Sequence, residues 1–182
     1  MVKKLKTPLS EAEIYTLKIG DRVLLSGVVY TARDQTHKRL VEALKKGKHL
    51  PFPLKGQVLF YAGPTPASTG KVVGSIGPTT ASRLDSYAPL LLERGLKGMI
   101  GKGSRSPEVK EAIKENSAVY FLAVGGAGAY LAEYVKKAEV IAYEDLGPEA
   151  VYKLEVRDFP VIVAIDAFSS DLFQEGPLKY QR

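Results

Sequence analysis

The sequence predicts an α/β domain with a mixed, partly parallel sheet. Strand-like apolar runs alternate with helical periods through most of the chain, the pattern that strand–helix crossovers of a parallel sheet produce. Strand runs crowd together near the front, which adds the mixed character. The 182 residues, 45% of them hydrophobic, suit one domain with a buried core. Residues 1–182 are therefore read as a single domain, with 1–7 and 175–182 as loose termini.

Ser10-Glu11-Ala12-Glu13 after Pro8 is a capping-box pattern, so a short helix runs to about Lys18. Gly20-Asp21 turns the chain into a strand at Arg22–Tyr30. Leu40, Val41 and Leu44 share a helical face in a helix from Asp34 to Lys46, closed by Gly47. A strand follows at Gln57–Tyr61. Ala62 to Thr80 is rich in glycine and proline, with Val72-Val73 as a short strand inside it. A helix from Thr79 or Thr80 to Glu93 is interrupted by Pro89. Next come a strand at Gly98–Gly101, a helix at Pro107–Glu115 capped by Ser106, and a strand at Ala118–Val124. Gly125–Lys137 reads as a Gly/Ala-rich helix. Glu139–Tyr143, Val151–Val156 and Val161–Asp166 read as strands.

Composition removes several chemistries. With no cysteine, the chain has no disulfide, no thiol nucleophile and no thiolate ligand for zinc or an iron–sulfur cluster. Two histidines, His37 and His49, are too few for a histidine metal site, so no metal ligands are assigned. No apolar run is long enough to span a membrane. Met-Val-Lys-Lys-Leu-Lys at the start has the charges of a signal peptide without its apolar stretch, so the expected address is the cytoplasm. The net charge of +6 is concentrated at the front: residues 1–60 hold 12 Lys/Arg against 5 Asp/Glu, and the remainder 14 against 15. Such a block fits nucleic-acid binding or the capture of small polyanions, and also fits solvated lysines at a terminus and a helix end.

Four strand-to-helix junctions stand out. In Thr31-Ala32-Arg33-Asp34-Gln35-Thr36-His37-Lys38-Arg39, Arg33 brings a cation to a helix start, where it needs an anionic partner, and its fork suits a carboxylate. An ordinary alternative pairs Arg33 with a nearby acid and leaves His37 structural. In Gly77-Pro78-Thr79-Thr80-Ala81-Ser82-Arg83-Leu84-Asp85, a Gly-Pro turn opens a helix with hydroxyl residues, an anion-binding arrangement that also fits a Thr N-cap. Gly101-Lys102-Gly103-Ser104 leaves an ammonium uncrowded between glycines. It is not a Walker loop, because Leu96 stands where that motif has its first glycine. Gly125-Gly126-Ala127-Gly128-Ala129 lacks the last glycine of a dinucleotide loop, where Leu131 stands, and its glycines are read as serving close helix–sheet packing. Arg33, Arg83, Lys102 and Thr79 thus all sit at junctions that gather on one edge of an α/β sheet. Three cations call for an anion of about two charges, a dicarboxylate or a phosphate ester. No acid–base pair accompanies them, so the chain holds half of an active site.

These motifs, with Glu155-Val156-Arg157-Asp158-Phe159-Pro160, resemble the β subunit, equivalently the C-terminal domain, of class I iron–sulfur fumarases and L-tartrate dehydratases, from about Pro8 to Phe173. The resemblance implies a swivelling β/β/α fold. It also implies an α subunit whose cysteines hold a [4Fe–4S] cluster, a site formed between the subunits, and an α2β2 assembly acting on a small dicarboxylate, without nucleic acid or membrane. Carried over position by position, it gives Arg33, Arg83 and Lys102 the substrate carboxylates and Thr79 the proton transfer next to a carboxylate. Asp34, His37 and Thr80 stand behind them. Ala32 and Arg83-Leu84-Asp85-Ser86-Tyr87 look closer to the fumarase side than to the tartrate side. Asp166-Ala167-Phe168-Ser169-Ser170-Asp171 departs from the family's acidic, glycine-containing stretch. A stand-alone anion- or RNA-binding module is the alternative of another class, although no aromatic ribonucleoprotein motif or GxxG clamp with basic flanks is present.

Overall fold

The computed structural model describes residues 2–178 and 181. Its strands are β1 (Val2–Lys6), β2 (Arg22–Thr31), β3 (Val58–Phe60), β4 (Gly98–Gly101), β5 (Val119–Leu122), β6 (Val135–Ala142) and β7 (Val151–Ile165). Its α-helices are α1 (Glu11–Tyr15), α2 (Asp34–Lys45), α3 (Ala88–Glu93), α4 (Pro107–Glu115), α5 (Gly128–Ala132) and α6 (Leu172–Leu178). They form a mixed α/β domain around one sheet in the order β1-β2-β3-β4-β5-β7-β6. The first five strands run parallel, and β7 is antiparallel to β5, β6 and β2. The β2–β7 pairing closes the ring β2-β3-β4-β5-β7, with β1 and β6 attached outside it.

Alternation along the ring strands separates two cores. Val58 and Phe60 of β3, Ile100 of β4 and Val119 and Phe121 of β5 pack in one. Leu59, Met99 and Tyr120, one step along, face the second, where Leu40 of α2, Leu91 of α3 and Ile113 of α4 cover them. The β3 strand is buried at all three residues, which is why it reads as an unbroken apolar run.

The structure corrects the sequence reading in several places. Residues 1–7 are not loose where described: Val2–Lys6 is β1, in parallel register with Arg22–Ser26. Of the expected loose C-terminal stretch, 175–178 belong to α6, and residues 179, 180 and 182 lie outside the described residues. The helix expected through Lys137 stops at Ala132, because Val135–Ala142 pairs as β6 with Val151–Val156. Long-range ladder bonds win there over local helix propensity. The strands read at Val151–Val156 and Val161–Asp166 are one strand, β7, bent at a bulge opposite Leu25–Gly27 where Asp158 has φ +51°. Val72-Val73 forms no strand. The helix expected from Thr79 or Thr80 becomes a 3₁₀ turn at Ala81–Leu84 and a separate α3 that begins around Pro89. No helix of the described residues is long and apolar enough to cross a membrane.

Candidate active site

The ends of β2, β3 and β4 lie side by side, with Thr31 level with Phe60 and Phe60 level with Ile100. Because these strands run parallel, the segments that leave them emerge at one edge. Arg33 and Asp34 follow β2, Tyr61 follows β3 and Lys102 follows β4. The Gly/Pro-rich loop then returns to the same edge. Thr79 donates its backbone N–H to the Tyr61 carbonyl at 2.6 Å. Lys102 N–H donates to the Thr79 carbonyl at 3.2 Å, and Ala81 N–H to the Lys102 carbonyl at 2.8 Å. Thr80 and Lys102 thereby form a parallel bridge.

Thr79 is not a helix cap here. The 3₁₀ turn starts after Thr80, and no side chain caps it. The half-buried Thr79 is fixed through its backbone, and its hydroxyl makes no hydrogen bond among the described residues. Arg83 and Lys102 are exposed.

Arg83 is already paired. Its Nε donates to Asp34 Oδ1 at 3.0 Å and its Nη2 lies 2.9 Å from Oδ2, joining the turn after Thr80 to the first turn of α2. Arg33 occupies the N-cap position of α2 without a side-chain cap bond. Its carbonyl accepts from His37 N–H at 2.8 Å and lies 2.8 Å from His37 Nδ1. With the proton on Nδ1, Nε2 carries a lone pair, and it is buried without a partner, as is Arg33 Nε. Burial pushes the fully buried His37 down to about 4; the bond to the Arg33 carbonyl opposes this, the Arg105 charge adds to it and Asp34 opposes it. His37 is thus a neutral ring that braces the start of α2.

Two glycines lie beside the cations, and at Gly63 a side chain would not fit. A Cβ on Gly63 would lie 2.4 Å from the Pro148 carbonyl oxygen and 3.2 Å from Arg33 Cδ. On Gly125 it would meet Lys102 Cδ at 3.4 Å. Gly101 serves packing instead, since a Cβ there would meet Ala81 Cβ at 3.0 Å and the Tyr61 ring at 3.1 Å. Gly128 packs against Gly77 of the long loop, with Ile76 N–H bonded to the Gly128 carbonyl at 3.0 Å. This corrects the helix–sheet packing read for Gly125–Ala129: Gly128, the first residue of α5, packs on the long loop instead of on the sheet.

Two residues escaped the sequence reading. Arg105 is buried, and its Nε donates to Asp85 Oδ1 at 2.6 Å while Asp85 Oδ2 accepts from Ser106 N–H at 2.7 Å. Burial opposes the Arg105 charge, but Tyr61 and Asp85 outweigh it and raise its pKa. Asp85 lies within the Gly77–Asp85 motif and Arg105 directly follows Gly101–Ser104, yet an isolated Arg and Asp carry no sequence signal of burial. The 166–171 segment sits elsewhere. Ile165 pairs with Tyr120 at the start of β5, and Ser169 Oγ donates to the Lys110 carbonyl at 2.8 Å, at the end of the sheet opposite Arg33 and Lys102.

Among the described residues no group of three or more His, Cys, Asp or Glu is placed to hold a metal ion.

Comparison with known proteins gives consistent matches. The family described as Fumarase C-terminus matches residues 2–176. Over 175 residues the chain is 38% identical to the anaerobic class I fumarate hydratase of Escherichia coli (strain K12), covering 94% of this chain and 32% of that protein. It is 36% identical to fumarate hydratase 2 of Leishmania major, covering 94% and 31%. It is also 36% identical to a provisionally named L(+)-tartrate dehydratase subunit beta of Methanocaldococcus jannaschii, covering 92% of this chain and 89% of that one. The chain spans about a third of the length of the fumarate hydratases it matches.

Proposed function

The chain belongs to the Fumarase C-terminus family, and on that premise we propose that it is the β subunit of a class I fumarate hydratase, acting in the reversible hydration of fumarate to L-malate. The observation that carries this reading is the gathering of Arg33, Arg83, Lys102 and Thr79 at one sheet edge, with Thr79 and Lys102 bonded through their backbones. Arg33, Arg83 and Lys102 bind the two substrate carboxylates; charge-assisted contacts of this kind orient as well as attract. The Thr79 hydroxyl, without a hydrogen-bond partner among the described residues, moves the proton at the carbon next to a carboxylate. In hydration it gives a proton to one alkene carbon while the hydroxyl of water bonds the other. The proton that water gives up goes to an acid–base group of the α subunit, and solvent reprotonates Thr79. In the reverse direction Thr79 accepts the carbon-bound proton while that group protonates the departing hydroxyl. A threonine is a weak base, so the neighbouring cations must favour its alkoxide.

The residues of this chain do not fit an iron–sulfur cluster: there is no cysteine to supply thiolates. We assign the [4Fe–4S] cluster of the class I enzymes to a partner α subunit, in an α2β2 assembly whose active site lies between the chains. Dehydration of L-tartrate or another 2-hydroxydiacid is the second reading, favoured by the relative of matching length. The purified chain mixed with the cluster-bearing α subunit is expected to hydrate fumarate, and the chain alone is not. Hydration by the iron-free chain alone contradicts the proposal, turnover of tartrate in preference to fumarate selects the second reading, and tight RNA binding without activity selects a binding module.

A further inference from the structure

Arg105 is buried against the rings of Tyr61 and Tyr120, which bond the segments that carry Thr79 and Lys102. Its side chain is 0% exposed, its Nε is ion-paired with Asp85 at 2.6 Å, and its guanidinium carbon lies 5.4 Å from the Tyr61 ring centre and 5.0 Å from that of Tyr120. Each tyrosine is bonded to one of the segments of the candidate site. The Tyr61 carbonyl accepts the Thr79 N–H at 2.6 Å, and the Tyr120 hydroxyl donates to the carbonyl of Gly103, next to Lys102, at 2.9 Å. Nη1 makes long contacts to the Tyr61 hydroxyl, 3.5 Å, and to Met99 Sδ, 3.4 Å.

A buried ion pair contributes little net stability once desolvation is counted, because apolar residues of similar volume often replace it without loss. What it does supply is direction. The Arg fork is planar and preorganised, and it stacks on aromatic rings in a way that a lysine cannot. Asp85 fixes one side of that fork and is itself held by the Ser106 N–H. We infer that Arg105, anchored by Asp85, is a positioning residue that sets Thr79 and Lys102 in place by wedging between Tyr61 and Tyr120. The inference rests on the roles given above to Thr79 and Lys102.

Two measurements test it. In the full chain, the paired substitution Arg105→Met with Asp85→Asn removes both charges and keeps an acceptor for Ser106. Amide hydrogen exchange at Thr79 and Lys102 is expected to accelerate about 10-fold or more, while amides of α2 stay as in wild type. Unchanged exchange at Thr79 and Lys102 overturns the inference whatever the enzyme does. In the assembled enzyme, the same pair is expected to lower kcat about 10-fold or more, but less than about 3-fold when added to Thr79→Ala, since its effect on kcat runs through Thr79 while a displaced Lys102 is read in KM. Losses that multiply independently also overturn it. If the paired variant fails to melt cooperatively, Arg105→Lys, which keeps the charge and loses the fork, is read in the same two ways. A Thr79→Ala enzyme with near-normal kcat rejects the catalytic reading of Thr79 instead, and the exchange measurement still decides the positioning role.

Discussion

Arg83 grips Asp34 through two contacts, Nε to Oδ1 at 3.0 Å and Nη2 to Oδ2 at 2.9 Å, across 49 residues of sequence. The pair locks the turn after Thr80 to the start of α2, so the acid beside Arg33 holds a different arginine from its neighbour. Asp34 also sits in the first turn of α2, where a carboxylate favours the helix dipole.

Asp34→Ala therefore leaves Arg83 charged but free to swing. The expected outcome in the assembled enzyme is a KM for fumarate raised about 3- to 10-fold, with kcat changed less than about 3-fold. Arg83→Ala removes the contact itself and raises KM further. Steady-state kinetics of the two variants beside wild type checks the order.

Gly63 leaves no space for a side chain between Arg33 and the Pro148 carbonyl. Gly63→Ala is expected to cost about 1–3 kcal/mol of stability, as overpacking does. It also displaces Arg33, so substrate binding weakens in the same variant. Thermal melting reads the first effect and KM the second.

His37 couples stability to pH. Its ordinary value is 6.5 and burial in the fold takes it to about 4. Between these values the unfolded chain binds a proton that the folded chain refuses, so stability falls as pH falls through this window. The loss approaches about 3 kcal/mol near pH 4. Arg105 and Asp34, the charged groups that act on the ring, pull in opposite directions and leave the burial effect dominant. Denaturant unfolding at pH 7 and at pH 4.5 measures the slope, and His37→Gln is expected to flatten it over that interval.

The gathering of Arg33, Thr79, Arg83 and Lys102 at one sheet edge was legible in the sequence because they stand at strand-to-helix junctions, and parallel strands bring such junctions to one edge. The β2, β3 and β4 runs were legible for the same reason: each is a short apolar stretch between turn residues. What periodicity missed depends on distant pairing. Val135–Lys137 reads as the end of an Ala-rich helix until Val151–Val156 is there to pair with it. Val2–Lys6 holds three lysines against two apolar residues and looks like a solvated tail, yet Leu5 is buried against β2. The Arg105–Asp85 pair spans 20 residues and leaves no trace in local pattern.

Thr79 is where an ordinary structural role and a catalytic one separate most clearly. Its backbone N–H and carbonyl are engaged by Tyr61 and Lys102, bonds that any residue other than proline can make, so replacing the side chain leaves the loop tied down. The decisive measurement is kcat of Thr79→Ala in the assembled enzyme, with melting curves to show that the fold is intact. The predicted result is a fall of about 100-fold or more, with KM for fumarate changed little because Arg33, Arg83 and Lys102 remain. A kcat within about 3-fold of wild type would contradict the assignment of proton transfer to Thr79.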